Sequence, residues 1–342
     1  MPGLRLDPVR RRWVITGKRP AMPDALDSGE LCPFCPGNEG YTPTPIRQHL
    51  DADGRWDVRV FHDRAPLFRV EGGLSREGDG MYDRMNALGA HEIVVETGQH
   101  AKTLAELAPD HIARVLEICR DRIFDLKQDP RFRYISMFKD QGRTRRAAEG
   151  HAHSQILAVP MIPALVEREL RWSLFHYQRK ERCIYCDMLY QESRQGMRIV
   201  DQNSDFVCLC PYASRFPYEI WILPAEHHSS FERDMAAWPR LISLATFLKM
   251  ELLRIQSISD KLRLVLHTEP NLAAYGAETN RWKTVKEDFH WHFEIYPELD
   301  GESDHFDAET FYYNPVLAED AALALRTIEP VVDLNQFPGK GD

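Results

Sequence analysis

His151-Ala-His153-Ser-Gln155-Ile156 and His290-Trp-His292-Phe-Glu294-Ile295 are two copies of one pattern, and they decide the fold of this chain. In a strand, successive side chains alternate between faces, so both histidines and the Gln or Glu of each copy share one face, about 7 Å apart along the strand. A lone histidine is usually a structural residue. A pair at this spacing, present in both halves of the chain, instead indicates a duplicated functional strand.

The repeat extends beyond these two strands. Residues 92–100 and 219–227 both begin with Glu-Ile, and both place a histidine eight residues after the glutamate. In each half this segment is followed by a stretch with helical periodicity, then by a strand, and then by the paired histidines. The order predicts an α+β fold of antiparallel sheets with one long helix per half. The predicted domains are residues 1–165 and 166–342.

Four of the seven cysteines form two Cys-x-x-Cys pairs, a spacing that suits tetrahedral Zn²⁺. Each half also offers one histidine after the Glu-Ile strand and one in the paired-histidine strand. The predicted ligand sets are Cys32, Cys35, His100 and His151 in the first half, and Cys183, Cys186, His227 and His290 in the second. Four protein ligands leave no position for water, so both zinc ions are predicted to be structural. His91, His228 and His267 lie close enough in sequence to replace a ligand.

The second histidine of each pair, His153 or His292, is not needed as a zinc ligand. A neutral imidazole can attack phosphorus and form a covalent phosphoramidate. On the same face, Gln155 can donate a hydrogen bond to a phosphate that gains negative charge, whereas the carboxylate of Glu294 would repel it. The sequence therefore predicts that the chemistry takes place at His153.

Charge and composition exclude several classes of protein. The 342 residues carry 52 acidic and 43 basic side chains, a net charge of −9, which argues against a general nucleic-acid binder. No apolar run approaches the roughly 20 residues that span a bilayer. With an odd number of cysteines and no signal peptide, the chain is expected to be cytoplasmic and to have no disulfide framework.

Taken together, these motifs resemble the galactose-1-phosphate uridylyltransferase family, a duplicated branch of the histidine-triad superfamily. The resemblance covers most of the chain, from Leu6-Asp-Pro-Val to Tyr313-Asn-Pro315. It implies two tandem histidine-triad-like domains and zinc in both Cys-His sites. It also implies that His153 attacks the α-phosphate of a nucleoside-diphosphate sugar and that Gln155 stabilises the nucleotidyl-histidine. The two-zinc pattern is most similar to that of plant ADP-glucose phosphorylase.

The chain departs from the family pattern at the substrate positions. Of the family's Asn-Asp pair at the nucleotide site only Asp63 is present, and Asp63 is the predicted substrate-binding residue there. Ala148 stands where the family has a phosphate-binding serine. Arg143, Arg145 and Arg146 are predicted to bind the phosphates in its place, through charge-assisted hydrogen bonds. The alternative is a solvated charge run.

The predicted function is nucleotidyl transfer, in carbohydrate and specifically galactose metabolism, through nucleotidyl-His153. The donor is a nucleotide sugar, and the acceptor is a hexose 1-phosphate or phosphate. One alternative is a hydrolase or phosphorylase of nucleotide sugars or dinucleoside polyphosphates. An alternative of another class is a non-catalytic scaffold with two zinc ions. The sequence leaves the base, the sugar and the oligomeric state open, a homodimer being one option.

Overall fold

The computed structural model describes residues 2–18, 31–142, 150–275, 282–299 and 312–330. The strands are β1 (Gly3–Asp7), β2 (Arg12–Thr16), β3 (Arg47–Leu50), β4 (Trp56–His62), β5 (Glu77–Asp79), β6 (Tyr82–Asn86), β7 (Ala90–Val95), β8 (Tyr134–Gln141), β9 (His153–Val159), β10 (Ile199–Gln202), β11 (Phe206–Leu209), β12 (Ile220–Pro224), β13 (Leu262–His267) and β14 (His292–Pro297). The α-helices are α1 (Pro109–Leu126), α2 (Ala164–Lys180), α3 (Ile184–Gln195), α4 (Phe231–Asp234), α5 (Trp238–Gln256), α6 (Val285–Asp288) and α7 (Ala318–Thr327).

Ten strands form one continuous sheet in the order β10-β11-β12-β14-β13-β8-β9-β7-β4-β3, and all its neighbouring strands are antiparallel. Each half supplies five adjacent strands. Counted outward from the centre they are β8, β9, β7, β4 and β3 in the first half, and the corresponding strands β13, β14, β12, β11 and β10 in the second. At the centre, β13 pairs with β8, with Leu264 opposite Lys139. The two predicted repeats are thus joined edge to edge, and each paired-histidine strand, β9 or β14, lies second from the centre. A smaller sheet has the order β2-β1-β6-β5.

The two long helices predicted from the sequence are α1 and α5, which contact each other. Both have proline in their first turn, where its missing N–H has no intrahelical partner to lose. Ile112, Leu116, Cys119 and Ile123 recur at helical spacing in α1, and all four are buried. In α5 the buried leucines follow the same spacing. These apolar stripes, together with one face of the sheet, form the largest core of the molecule.

A further long helix, α2, forms in the charged stretch between the two halves and was not predicted from the sequence. Pro163 precedes its first residue, and Glu181 ends it in a left-handed conformation with φ 55°. Few of its side chains are buried, Val166 and Leu170 among them, so its apolar periodicity is weak. The predicted domain division at 165/166 falls in the first turn of α2. One sheet continues through both halves, so the division into two domains stays a prediction.

Among the described residues, no helix combines the length and the apolar character that a membrane span requires.

Candidate active site and metal centres

The first predicted ligand set comes together at the start of β9. Cys32 and Cys35 lie in a turn, His100 follows β7, and His151 precedes β9 by two residues, and their ligand atoms all lie within 4.8 Å of one another. The Cys32 Sγ is 3.5 Å from the His151 Nδ1, and the Cys35 Sγ is 3.4 Å from the His100 Nδ1. The fold thus brings these four residues together from three separate segments of the chain.

The second predicted set forms in the same way around the start of α3. The ligand atoms of Cys183, Cys186, His227 and His290 lie within 4.8 Å of one another, and the Cys186 Sγ is 3.3 Å from the His227 Nδ1. The hydrogen bond between the two thiols lowers the pKa of Cys186 and raises that of Cys183. One thiolate, the form that binds metal, is therefore favoured in this pair.

The outer nitrogens of two ligand histidines show how these centres suit a metal. The His151 Nε2 lies 2.7 Å from the Thr97 carbonyl oxygen, and the His227 Nε2 lies 2.8 Å from the Lys286 carbonyl oxygen. A carbonyl only accepts, so each Nε2 carries the hydrogen and the lone pair of Nδ1 faces the thiols. This arrangement is typical of histidines that bind a metal through Nδ1. Both Cys₂His₂ groups therefore have the donor chemistry that fits Zn²⁺.

The three histidines that could have replaced a ligand lie elsewhere. His91 contacts Gln155, and the His228 Nε2 is 3.4 Å from an Asp234 carboxylate oxygen. His267 is paired with Glu169. Among the described residues, the two Cys-His clusters are thus composed of the eight predicted residues alone.

His153 is the first residue of β9 and is half-buried. Its Nδ1 lies 2.8 Å from the His151 carbonyl oxygen, so Nδ1 donates and the lone pair is on Nε2. The ring of Phe34 is 5.3 Å from that of His153, and Phe34 also packs against a small apolar cluster that includes Phe61 and Val95. Phe34 was not predicted from the sequence. Its position between the two cysteines of the first zinc motif was the available signal.

Gln155 is half-buried on the same face of β9, and its Oε1 lies 2.9 Å from the His91 Nε2. Asp63, the predicted substrate-binding residue, accepts a hydrogen bond from the Ala65 amide, and its other oxygen lies 3.1 Å from the His91 Nδ1. Its substrate-binding role stays a prediction. The predicted phosphate-binding residues Arg143, Arg145 and Arg146 lie outside the described residues.

The second half has a different arrangement around its unligated histidine. His292 is fully buried, with its ring centre 4.8 Å from that of His267 and 5.0 Å from that of Trp221. The ligand atoms of Glu169, His267, His292 and Glu294 lie within 4.8 Å of one another. A phosphate would have to displace these packed groups to reach His292, whereas His153 is partly accessible.

Opposite charges stabilise this cluster, in which His267 lies beside the carboxylates of Glu169 and Glu294. Burial alone would lower the pKa of His267, but the carboxylates of Glu169 and Glu294 raise it to about 10. Burial, and then the charge of His267, lower the pKa of His292 to about 4. Glu294 also accepts a hydrogen bond from Arg215 at 2.5 Å. His267 is therefore a cation between two carboxylates, and His292 is neutral beside it.

A buried ion pair supports β9 from its other face. The Lys139 Nζ donates to the Glu96 carboxylate at 2.8 Å and to the His153 carbonyl oxygen at 3.2 Å, and the Ser154 hydroxyl donates to the same carboxylate at 2.6 Å. Glu96 is completely buried and Lys139 almost so. The pair thus fixes the backbone on which the His153 side chain is mounted.

Lys139→Met is expected to lower the free energy of unfolding by about 3–5 kcal/mol, because it leaves the Glu96 carboxylate buried and unpaired. Urea denaturation of the variant and of the wild type measures this difference. Lys283→Met, at an exposed position, is the matched control and should change stability by less than about 0.5 kcal/mol. Equal stability of all three proteins would contradict the role assigned to the buried pair.

The chain is similar to known proteins over most of its length. Residues 8–163 match the family model of galactose-1-phosphate uridyl transferase, N-terminal domain. ADP-glucose phosphorylase of Arabidopsis thaliana is 29% identical, over 96% of this chain and 93% of that protein. Galactose-1-phosphate uridylyltransferase of Thermotoga maritima is 27% identical, over 96% and 99%.

The likeness extends to solved structures. A crystal structure of ADP-glucose phosphorylase from Arabidopsis thaliana with bound ADP-glucose has a TM-score of 0.75 at 29% identity, and the match covers 96% of this chain and 100% of that one. A GalT-like protein from the same plant gives a TM-score of 0.74 at 28% identity, with coverage of 96% and 99%. With the tandem paired-histidine strands in one sheet, these matches lead to one conclusion: over almost its whole length the chain is similar to members of the galactose-1-phosphate uridylyltransferase family.

Proposed function

We propose that this protein is a nucleotidyltransferase that acts on a nucleoside-diphosphate sugar through a covalent nucleotidyl-His153 intermediate. The observation that carries the proposal is the hydrogen bonding and partial burial of His153. Its Nδ1 donates to the His151 carbonyl, its Nε2 has the lone pair, and the residue is half-buried rather than enclosed. Gln155 lies on the same face of the strand, two residues further on.

In the first half-reaction, the His153 Nε2 attacks the α-phosphorus and the bond from that phosphorus to the bridging oxygen breaks. The sugar 1-phosphate leaves, and the nucleotide stays on the histidine as a phosphoramidate. In the second half-reaction, a phosphate oxygen of the acceptor attacks the same phosphorus and restores His153. The amide of Gln155 can donate to the charge that develops on the phosphate in both steps.

The acceptor separates the activities within this proposal. A hexose 1-phosphate as acceptor gives uridylyltransferase-like chemistry, and inorganic phosphate gives a phosphorylase, the two kinds of enzyme named among the relatives. Discharge by water, the hydrolase alternative, would use the same intermediate. Asp63, Arg143, Arg145 and Arg146 stay predictions as substrate ligands, as do a homodimeric state and a cytoplasmic location.

Both Cys-His centres are proposed to hold zinc. The four ligands of each centre would complete the coordination shell, so the ion stabilises the chain there and has no open position for substrate or water. His151 belongs to the first centre and lies two residues before His153. Holding His151 in place therefore also holds the nucleophile.

Incubation with UDP-glucose or ADP-glucose is expected to add one nucleoside monophosphate to the wild-type chain, as measured by intact mass. Addition of a hexose 1-phosphate or of phosphate should then remove the adduct and form a new nucleotide product. An adduct that decays equally fast in buffer alone would favour the hydrolase. A chain that forms no adduct with any nucleotide sugar or dinucleoside polyphosphate would contradict the proposed function.

A further inference from the structure

A chain of side chains connects Asp63, His91 and Gln155 beside the nucleophile. His91 is almost completely buried, and its two ring nitrogens lie 3.1 Å from an Asp63 carboxylate oxygen and 2.9 Å from the Gln155 Oε1. We propose that His91 is a positioning residue that, held by Asp63, fixes the orientation of the Gln155 amide toward the phosphate. This inference rests on the proposed nucleotidyl transfer and adds a residue to its machinery.

The register of the sheet brings His91 to Gln155. On β7, His91 lies opposite Leu157 and Ile93 lies opposite Gln155. His91 and Gln155 are therefore diagonal neighbours on one face, a distance that a histidine and a glutamine can bridge. Asp63 follows β4, and its backbone N–H donates to the His91 carbonyl oxygen at 2.8 Å. Backbone pairing alone thus places His91, Gln155 and Asp63 close to one another, independently of their side-chain contacts.

The orientation of Gln155 matters because the two ends of an amide have opposite properties. The NH₂ end donates to a phosphate oxygen, whereas the carbonyl end would repel it. An Nε2–H of His91 can only donate, so it binds the carbonyl end of Gln155 and directs the NH₂ end elsewhere. On the other side of the ring, the His91 Nδ1 lies 3.1 Å from an Asp63 carboxylate oxygen and 3.5 Å from the Leu67 amide nitrogen, and these contacts hold the ring in place. With Nε2 as the donor, the Gln155 amide has one favourable orientation.

The second half of the chain lacks this arrangement. Tyr218 is the residue that corresponds to His91 when residues 92–100 are aligned with 219–227, and Glu294 corresponds to Gln155. Glu294 accepts a hydrogen bond from Arg215 and has no amide to orient. His91 also takes no part in the nearby Cys-His centre. In the second half the buried His267 lies 3.5 Å from Glu294, but it comes from β13, and the carboxylate it contacts has no amide end to orient.

The test is a double-mutant cycle on the rate of adduct formation in a single turnover. His91→Leu in the wild-type background is expected to slow adduct formation by roughly 30-fold or more, because an unoriented amide stabilises the transition state poorly. In the Gln155→Ala background, the same substitution should slow it by less than about 3-fold, since no amide is left to orient. His91→Gln, whose Nε2 can take the place of the ring Nε2, should restore the rate to within about 5-fold of wild type.

His49→Leu is the matched control, because His49 on β3 is likewise paired with an aspartate, Asp57 on β4, with 2.7 Å between the Nδ1 and the carboxylate. It should leave the rate unchanged. If His91→Leu does not fold, Asp63→Asn takes its place in the cycle, with the same dependence on Gln155. An equal slowing with and without Gln155, or a wild-type rate in His91→Leu, would overturn the inference while the wild-type adduct upholds the proposed function. A wild-type chain without an adduct would overturn both.

Discussion

His153→Ala is expected to abolish nucleotidyl transfer, with kcat lower by roughly 10⁴-fold or more, because alanine provides no nitrogen to attack phosphorus. No adduct should form in the intact-mass experiment. His292→Ala should keep a substantial part of the activity, because His292 is enclosed in the second half and its following same-face residue is Glu294. Steady-state kinetics and adduct formation of the two variants measure the difference.

The comparison needs folded proteins, and His292 is the residue at greater risk because its ring packs between His267 and Trp221. Thermal unfolding of both variants is therefore measured first, and activity is compared at a temperature where both are folded. Equal loss of activity in the two folded variants would mean that the second half takes part directly in the chemistry. An adduct on His153→Ala would mean that another residue is the nucleophile.

Metal removal is expected to have the largest effect on stability. The purified protein should contain about two zinc ions per chain, one for each Cys₂His₂ set. Binding free energy at a structural zinc site is folding free energy, about 10–16 kcal/mol in small zinc peptides, whereas whole domains are stable by only about 5–15 kcal/mol. Cys32→Ser, Cys183→Ser or a strong chelator should therefore lower the melting temperature sharply or prevent folding.

Cys119→Ala is the matched control, because Cys119 is equally a buried thiol but lies on α1, outside both clusters. This variant should keep both zinc ions and lose only the modest packing energy of one small side chain. A zinc content near one per chain would mean that one ligand set is wrong. Unchanged melting of Cys32→Ser and Cys183→Ser would contradict a structural role for both centres.

The paired-histidine strands could be predicted from the sequence because their signals are local. Strand alternation places His151, His153 and Gln155 on one face whatever surrounds them. The two Cys-His clusters could also be predicted, since Cys-x-x-Cys is a spacing typical of zinc sites and the repeat supplies histidines in matching positions; that their eight residues bind metal stays a prediction. The structure brings each set within 4.8 Å. The resemblance to the family and the α+β fold class, both predicted from these motifs, are confirmed.

The sequence alone did not predict α2 as a helix. Its charged residues outnumber its buried ones, and only Val166, Leu170 and Ser173 are buried within it. Such a helix gains its stability from the packing of a narrow stripe rather than from a strong apolar period. The spacing of apolar residues in this stretch is therefore too weak to predict a helix.

The duplication and the strand faces follow from the sequence, because they depend on spacing within short segments. The ligand sets and the nucleophile are predictions that combine several such segments, each of which occurs in both halves. Only the tertiary structure decided the partners of the charged and polar groups. His91 meets Gln155, Lys139 meets Glu96, and His267 lies between Glu169 and Glu294. These pairs join strands and helices that are distant along the chain. Burial, which makes an unpaired polar group costly, depends on how those elements pack and not on their separation in the sequence.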